Sequence, residues 1–189
     1  MKKALLIASV LFIAVISTAC INNIAVQELN NKAAEYMQKG DYESAMNRLQ
    51  ASIDLDATMY ETYYNLGIAA TSAKKYDVAL DAFASGIQLK PDHANFYYSL
   101  AVAQSAYADE LVEDTYYDEA KGDTVTKTIT KEDTAKAVEL KEAAIGNLNK
   151  YLEMNPNAED KETVESLIKD CENFGKEPAE QTKKIEVEG

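Results

Sequence analysis

The 189-residue chain has no tryptophan, one histidine, two cysteines, three prolines and seven glycines. Each shortage removes a class of protein. With His93 as the only histidine, no Ser/His/Asp or Cys/His set can be assembled. A Gly-rich phosphate loop and a metal-ligand spacing are also missing, so neither an enzyme nor a cofactor is expected. Two cysteines cannot build a disulfide framework. Scarce proline and glycine, beside abundant Ala, Leu, Glu and Lys, leave long helices uninterrupted, and an all-α chain is expected. Basic side chains are outnumbered by acidic ones, 19 to 32, for a net charge of −13. Nucleic acid needs a basic stripe, so it is excluded as a partner, and the acidity equally opposes lying flat on an anionic membrane.

Charge is also missing from residues 4–16, ALLIASVLFIAVI, which follow Met1-Lys2-Lys3 and precede Ser17-Thr18-Ala19-Cys20. A positive start, an apolar run and small residues are the three regions of a secretory signal. The segment resembles a bacterial lipoprotein signal, in which the cysteine sulfur takes a diacylglycerol and becomes the mature N-terminus. The resemblance implies a signal peptide over 1–19, lipidation at Cys20, a tether over 20–25 and a membrane partner through the N-terminal lipid. Ser17 stands where Leu, Val or Ile is usual, three residues before the cysteine. Ordinary cleavage after Ser17-x-Ala19, releasing a soluble protein, and an uncut anchor therefore stay open. In each case residues beyond about 22 are exported, because Lys2 and Lys3 stay inside. Ile21 after the cysteine permits an outer-membrane destination if the source has one. Cys171 shares a helical stripe with Val164, Leu167, Ile168 and Phe174, the pattern of a core residue. Ordinary cleavage would instead permit a Cys20–Cys171 bridge.

Gly40-Asp41-Tyr42-Glu43-Ser44-Ala45 recurs as Lys74-Lys75-Tyr76-Asp77-Val78-Ala79, displaced by 34 residues, and Leu49, Ile53 and Leu55 recur as Phe83, Ile87 and Leu89. This period, with helical spacing on both sides of a short turn, resembles the tetratricopeptide repeat (TPR). The resemblance implies an α-solenoid of antiparallel helix pairs with repeats at 26–59, 60–93 and 94–157 in a domain spanning 26–174. Small residues at Ala33, Ala45, Gly67 and Ala79 let paired helices approach, while Tyr42, Tyr76, Leu49 and Phe83 fill the adjoining gaps. Ala57 stands where proline is usual, and Tyr151 where a small residue is usual.

The third repeat is split. Residues 96–107 align with a first helix and 143–156 with a second, but the offset between them is 65 rather than 34, an insertion of 31 residues placed at about 107–135. Helical spacing on both sides predicts two lengthened helices, the second opened by a Thr130/Asp133 capping box. The alternation in 123–130, DTVTKTIT, predicts a short extended stretch that could pair with Ile185 and Val187 of the tail. Residues 158–174 read as an amphipathic capping helix and 175–189 as a flexible tail. The acidic residues Asp109, Glu110, Glu113, Asp114, Asp118 and Glu119 lack the order of a calcium loop, though the insertion leaves a small-molecule or metal-binding lipoprotein as the alternative reading.

TPR arrays generally bind extended peptides or partner helices in a groove lined by the first helix of each pair. Mapped by repeat position, that groove would present Asn30, Asn31, Met37, Tyr64, Asn65, Ile68, Asn95, Tyr98, Ser99 and Val102. Residues 20–106 carry 6 basic and 10 acidic side chains and residues 107–189 carry 11 and 22, so the acidity sits mainly outside the groove repeats. Amides bond a peptide backbone through donor and acceptor alike, and tyrosine adds contact area at low entropic cost. A neutral groove for a protein or peptide segment, in a scaffold aiding assembly of an envelope complex, is the function this implies. TPR co-chaperones that clamp a terminal carboxylate use Lys and Asn, then Asn, then Lys and Arg, where this chain has Asn30, Ala34, Asn65, Asn95 and Ser99. The three cations are absent, which excludes that mode.

Overall fold

The computed structural model describes residues 24–118 and 122–175. The signal-like segment with Cys20, the first part of the tether and the tail from residue 176 lie outside the described residues. Helix α1 covers residues 24–38, followed by α2 (Tyr42–Leu55), α3 (Tyr60–Ser72), α4 (Tyr76–Leu89) and α5 (Ala94–Val112). A two-stranded ribbon of β1 (Thr115–Asp118) and β2 (Asp123–Thr126) precedes α6 (Lys131–Met154) and α7 (Lys161–Asn173). The residues fall into two compact units that divide between Phe96 and Tyr97, inside α5.

In the first unit α2 and α4 both begin at a tyrosine, 34 residues apart, after a turn that needs positive φ. Gly40 meets that need at +76°, and Lys74 takes the same place at +55°, a conformation costing an L-residue roughly 1–2 kcal/mol. The Asp41 carboxylate then accepts from the Ser44 N–H (3.1 Å) and caps α2. Ala57 is not the residue that shapes the next turn. Asp56 does so instead, accepting from the Thr58 N–H (2.9 Å) and hydroxyl (2.6 Å) as an Asx turn. Ala33, Ala45, Leu49, Leu66, Ala69 and Ala82 form the core, and Gly67 and Ala79 are buried as well. The small residues picked out by the repeat thus sit at the helix contacts.

Three equivalent positions decide how successive pairs stack. In the first set the half-buried Asn30 donates to the fully buried Ser52 hydroxyl (2.8 Å) and accepts from the fully buried Thr62 hydroxyl (3.2 Å). One repeat later the same places hold Tyr64, Gly86 and Phe96. Here the Tyr64 and Phe96 rings meet edge to face at 5.2 Å, and a Cβ on Gly86 would lie 2.1 Å from the Phe96 ring. In the second unit Tyr98 and Tyr151 hold the first two places, 5.3 Å apart, and Tyr151 donates to the Asp160 carboxylate at 3.0 Å. Burial and that carboxylate raise the Tyr151 hydroxyl above the ordinary tyrosine range. A large residue therefore stands where a small one is usual because a ring pair replaces the close approach.

The second unit is built from the rest of α5 with α6 and α7 around Ala101, Ala144, Leu148, Val164 and Cys171. Cys171 is buried, in the core role its stripe predicts. Helix α5 runs on to Val112 and α6 starts at Lys131, so the insertion lengthens both helices. The Thr130 hydroxyl accepts from the Asp133 N–H while the Asp133 carboxylate accepts from the Thr130 N–H, both at 3.0 Å. Those bonds from Thr130 hold the Asp133 carboxyl below the ordinary aspartate range. Its contribution is then complete above that range and is lost as pH falls through the lowered value. Thr130→Ala should cost roughly 1 kcal/mol, read as a lower denaturant midpoint at unchanged slope. Strand β2 pairs antiparallel with β1, Thr115 opposite Thr126 and Asp118 opposite Asp123, and the tail residues Ile185 and Val187 lie outside the described residues. Only four residues separate the end of β1 from the start of β2, so this pairing closes a short loop at little entropic cost.

Candidate functional site

The mapped groove positions fall into two groups. Asn31, Tyr64, Asn65, Ile68 and Asn95 lie on first helices of the first unit in accessible or half-buried places. Helices α1 and α3 are neighbours there, joined by the Asn30–Thr62 hydrogen bond. Asn31 and Asn65 are one repeat apart on these helices, and neither amide has a hydrogen-bond partner among the described residues. The half-buried Tyr64 ring packs on Phe83 (6.1 Å), His93 (6.0 Å) and Phe96 (5.2 Å), the inward contact that its repeat equivalents Asn30 and Tyr98 also make, and it fixes the helix beside the Asn65 amide.

Other positions are corrected. Asn30 spends its amide inside the protein, on Ser52, Thr62 and the Val26 carbonyl (2.9 Å). Met37 packs against the Ala33–Leu49 core. In the second unit Ser99 is buried and Tyr98 packs on Tyr151 and the core around Ala101, whereas Val102 is half-buried like Ile68 and stays available. Repeat position alone does not separate a groove residue from a neighbour turned into the helix-pair contact. Tyr60 (5.5 Å), Tyr64 and Phe96 (5.4 Å) surround the His93 ring, and its Nδ1 is buried without a partner among the described residues. Its position 34 residues after Met59, at the foot of the next helix pair, was the available signal for that packing.

Charge on this face is low. Glu28 and Lys32 close an exposed pair at 2.9 Å, and a hydrogen bond from Lys32 lowers the Glu28 carboxyl. The Tyr60 hydroxyl is raised because it bonds to Glu61. Among the described residues no group of three His, Cys, Asp or Glu side chains could hold a metal ion. None of the described helices is long and apolar enough to cross a membrane.

These helix pairs, the split third pair and the closing helix define an all-α protein of the tetratricopeptide-repeat fold. A TPR-repeat family model matches residues 33–70. A TPR repeat-containing protein of Schizosaccharomyces pombe is 30% identical over 82 residues, which are 43% of this chain and 10% of that protein. The matched stretch thus spans about a tenth of the length of that relative. Among solved structures, the TPR domain of Arabidopsis OM64 superposes with a TM-score of 0.58 at 14% identity, covering 81% of this chain and 98% of that one. The Yersinia enterocolitica type III secretion chaperone SycD, in complex with a peptide of the translocator YopD, gives 0.55 at 20% identity over 77% of this chain and 91% of that chain. The first TPR of Spaghetti (RPAP3), bound to an HSP90 peptide, gives 0.56 at 16% identity over 78% and 90%.

Proposed function

We propose that this chain is an exported, membrane-tethered, non-catalytic scaffold that binds an uncharged segment of a partner protein on the α1/α3 face of its first unit. The observation that carries the reading is the pair of Asn31 and Asn65 amides at matched positions, unpartnered among the described residues, with Tyr64 fixed beside Asn65. An amide bonds either polarity of a peptide bond, so such a row suits a main chain rather than a charged side chain. Peptide complexes among proteins of the same fold support the use of this architecture, and the low charge of the face separates it from the terminal-carboxylate clamp. Cys20 would carry the lipid, and assembly of an envelope complex is the role we assign.

The test is crosslinking capture from intact cells, comparing the wild type with Asn31→Asp/Asn65→Asp. Both changes preserve shape and leave the aromatic contacts of Tyr64 in place. Two new carboxylates facing carbonyl oxygens should reduce capture of a specific partner at least tenfold at an unchanged melting temperature. Capture unaffected by the pair would remove the site from this face. In parallel, Cys20→Ser should abolish incorporation of a labelled fatty acid and release the protein from membranes. Labelling that persists would end the tether assignment.

A further inference from the structure

Among the described residues, the ribbon in the insertion has an open edge whose chemistry is specific. The Lys127 N–H donates to the Asp114 carbonyl, which makes 114 and 127 a hydrogen-bonded pair in the register that places Thr115 opposite Thr126. Hydrogen-bonded and non-bonded pairs alternate in an antiparallel ladder, so Tyr116–Val125 is the next bonded pair. Thr124 and Thr126 then direct their main-chain groups away from β1. The Asp123 carboxylate covers the Thr124 N–H at 2.7 Å, which leaves the Thr126 N–H and the Thr124 and Thr126 carbonyls along the edge. Asp123, Thr124 and Thr126 are exposed and Val125 is half-buried, so β2 is not sheltered by the helices. The run continues to Thr130, extended at ψ 165°, through β-branched Thr128 and Ile129. Lys127 is fixed at the base, its ammonium donating to the Leu111 carbonyl at 3.2 Å.

We propose that this edge takes an extended, lysine- or arginine-bearing segment of a partner protein as a third strand. Main-chain bonds to Thr124 and Thr126 would hold it, and Val125 and Ile129 would receive its alternate apolar side chains. Charge selects a basic occupant. Residues 109–123 contain seven carboxylates and one lysine, and the sequence 107–189 as a whole carries 22 acidic and 11 basic groups. A second copy of the same acidic chain is disfavoured as occupant for the same reason. This surface is separate from the neutral α1/α3 face, and the proposal stands if that reading fails.

The probe is a nine-residue peptide alternating lysine with valine and threonine, added to the full chain at physiological salt. The proposal expects saturable binding that slows hydrogen exchange at the Thr126 amide at least tenfold and leaves exchange at Val125, already within the ladder, unchanged. Thr126→Pro removes the outward N–H without touching a β1–β2 bond and should abolish binding, while Thr126→Ala should retain it. Charge is identical in both variants, so binding that survives Thr126→Pro is adventitious attraction to the acidic surface and overturns the proposal. Absence of binding by the wild type, or binding with unaltered Thr126 exchange, overturns it as well.

Discussion

Gly86→Ser should lower stability by about 1–3 kcal/mol, and the loss should nearly vanish when Phe96→Thr is already in place. A Cβ at residue 86 would stand 2.1 Å from the Phe96 ring, and Phe96 is fully buried between Tyr64 and Phe83. The ring has no free volume to enter in a close-packed interior, so the strain falls on the α4–α5 approach. The equivalent places one repeat earlier hold Ser52 and Thr62, both buried without conflict. The protein therefore already contains the pair that the double variant creates. Phe96→Thr alone should cost roughly 3–5 kcal/mol as a large-to-small change. The coupling between the two sites, measured by urea unfolding in a double-mutant cycle, is the decisive quantity. Additive losses would show that the Gly86–Phe96 contact does not set this interface. Gly67→Leu addresses the neighbouring contact, where a Cβ would lie 2.4 Å from Phe83, and should also overpack.

Asp109→Ala should destabilise the protein more than Lys141→Met, although Lys141 is the buried partner. The Lys141 side chain is 8% exposed and reaches the Asp109 carboxylate at 2.7 Å, where Asp109 is 62% exposed. The ammonium also donates to the Ser105 hydroxyl at 2.8 Å and lies over the Phe174 ring at 5.0 Å. Removing Asp109 leaves a desolvated cation with one neutral acceptor and a ring face. Removing Lys141 leaves a carboxylate that turns to water. Breaking a buried pair costs ~3–5 kcal/mol, and the exposure of Asp109 places this case at the lower end. Methionine keeps most of the lysine stem volume, so Lys141→Met should stay within about 1.5 kcal/mol of the wild type. Equal losses in the two variants, read from chemical unfolding, would mean that the Asp109 contact is solvated and contributes little.

Much of the architecture was legible because it rests on local, periodic signals. The 34-residue displacement marks Ala33, Ala45, Gly67 and Ala79 as close-contact positions, and each is buried. The Thr130/Asp133 spacing marks the start of α6, since a capping box needs only four consecutive residues. The site was less legible. Asn30 and Asn31 are adjacent in sequence and alike in chemistry, yet one bonds inside the protein and the other faces out. A helix turns ~100° per residue, so one residue separates groove from core, and repeat alignment cannot resolve that angle. Ser99 and Tyr98 fail for the same reason.

What the chain determines by itself is the all-α fold, the repeat length, the split of the third pair and the core role of Cys171. Each follows from spacing and from side-chain size at fixed intervals. What only the tertiary structure decides is which chemistry joins one helix pair to the next. Equivalent positions carry a hydrogen-bonded Asn/Ser/Thr triad, then a Tyr/Gly/Phe contact, then a tyrosine pair. The pairing of β2 with β1 and the place of His93 among aromatic rings belong with them. The helix-pair contacts and the His93 cluster depend on residues distant in sequence meeting in space, where volume and polarity must complement each other at once. No local pattern encodes that condition.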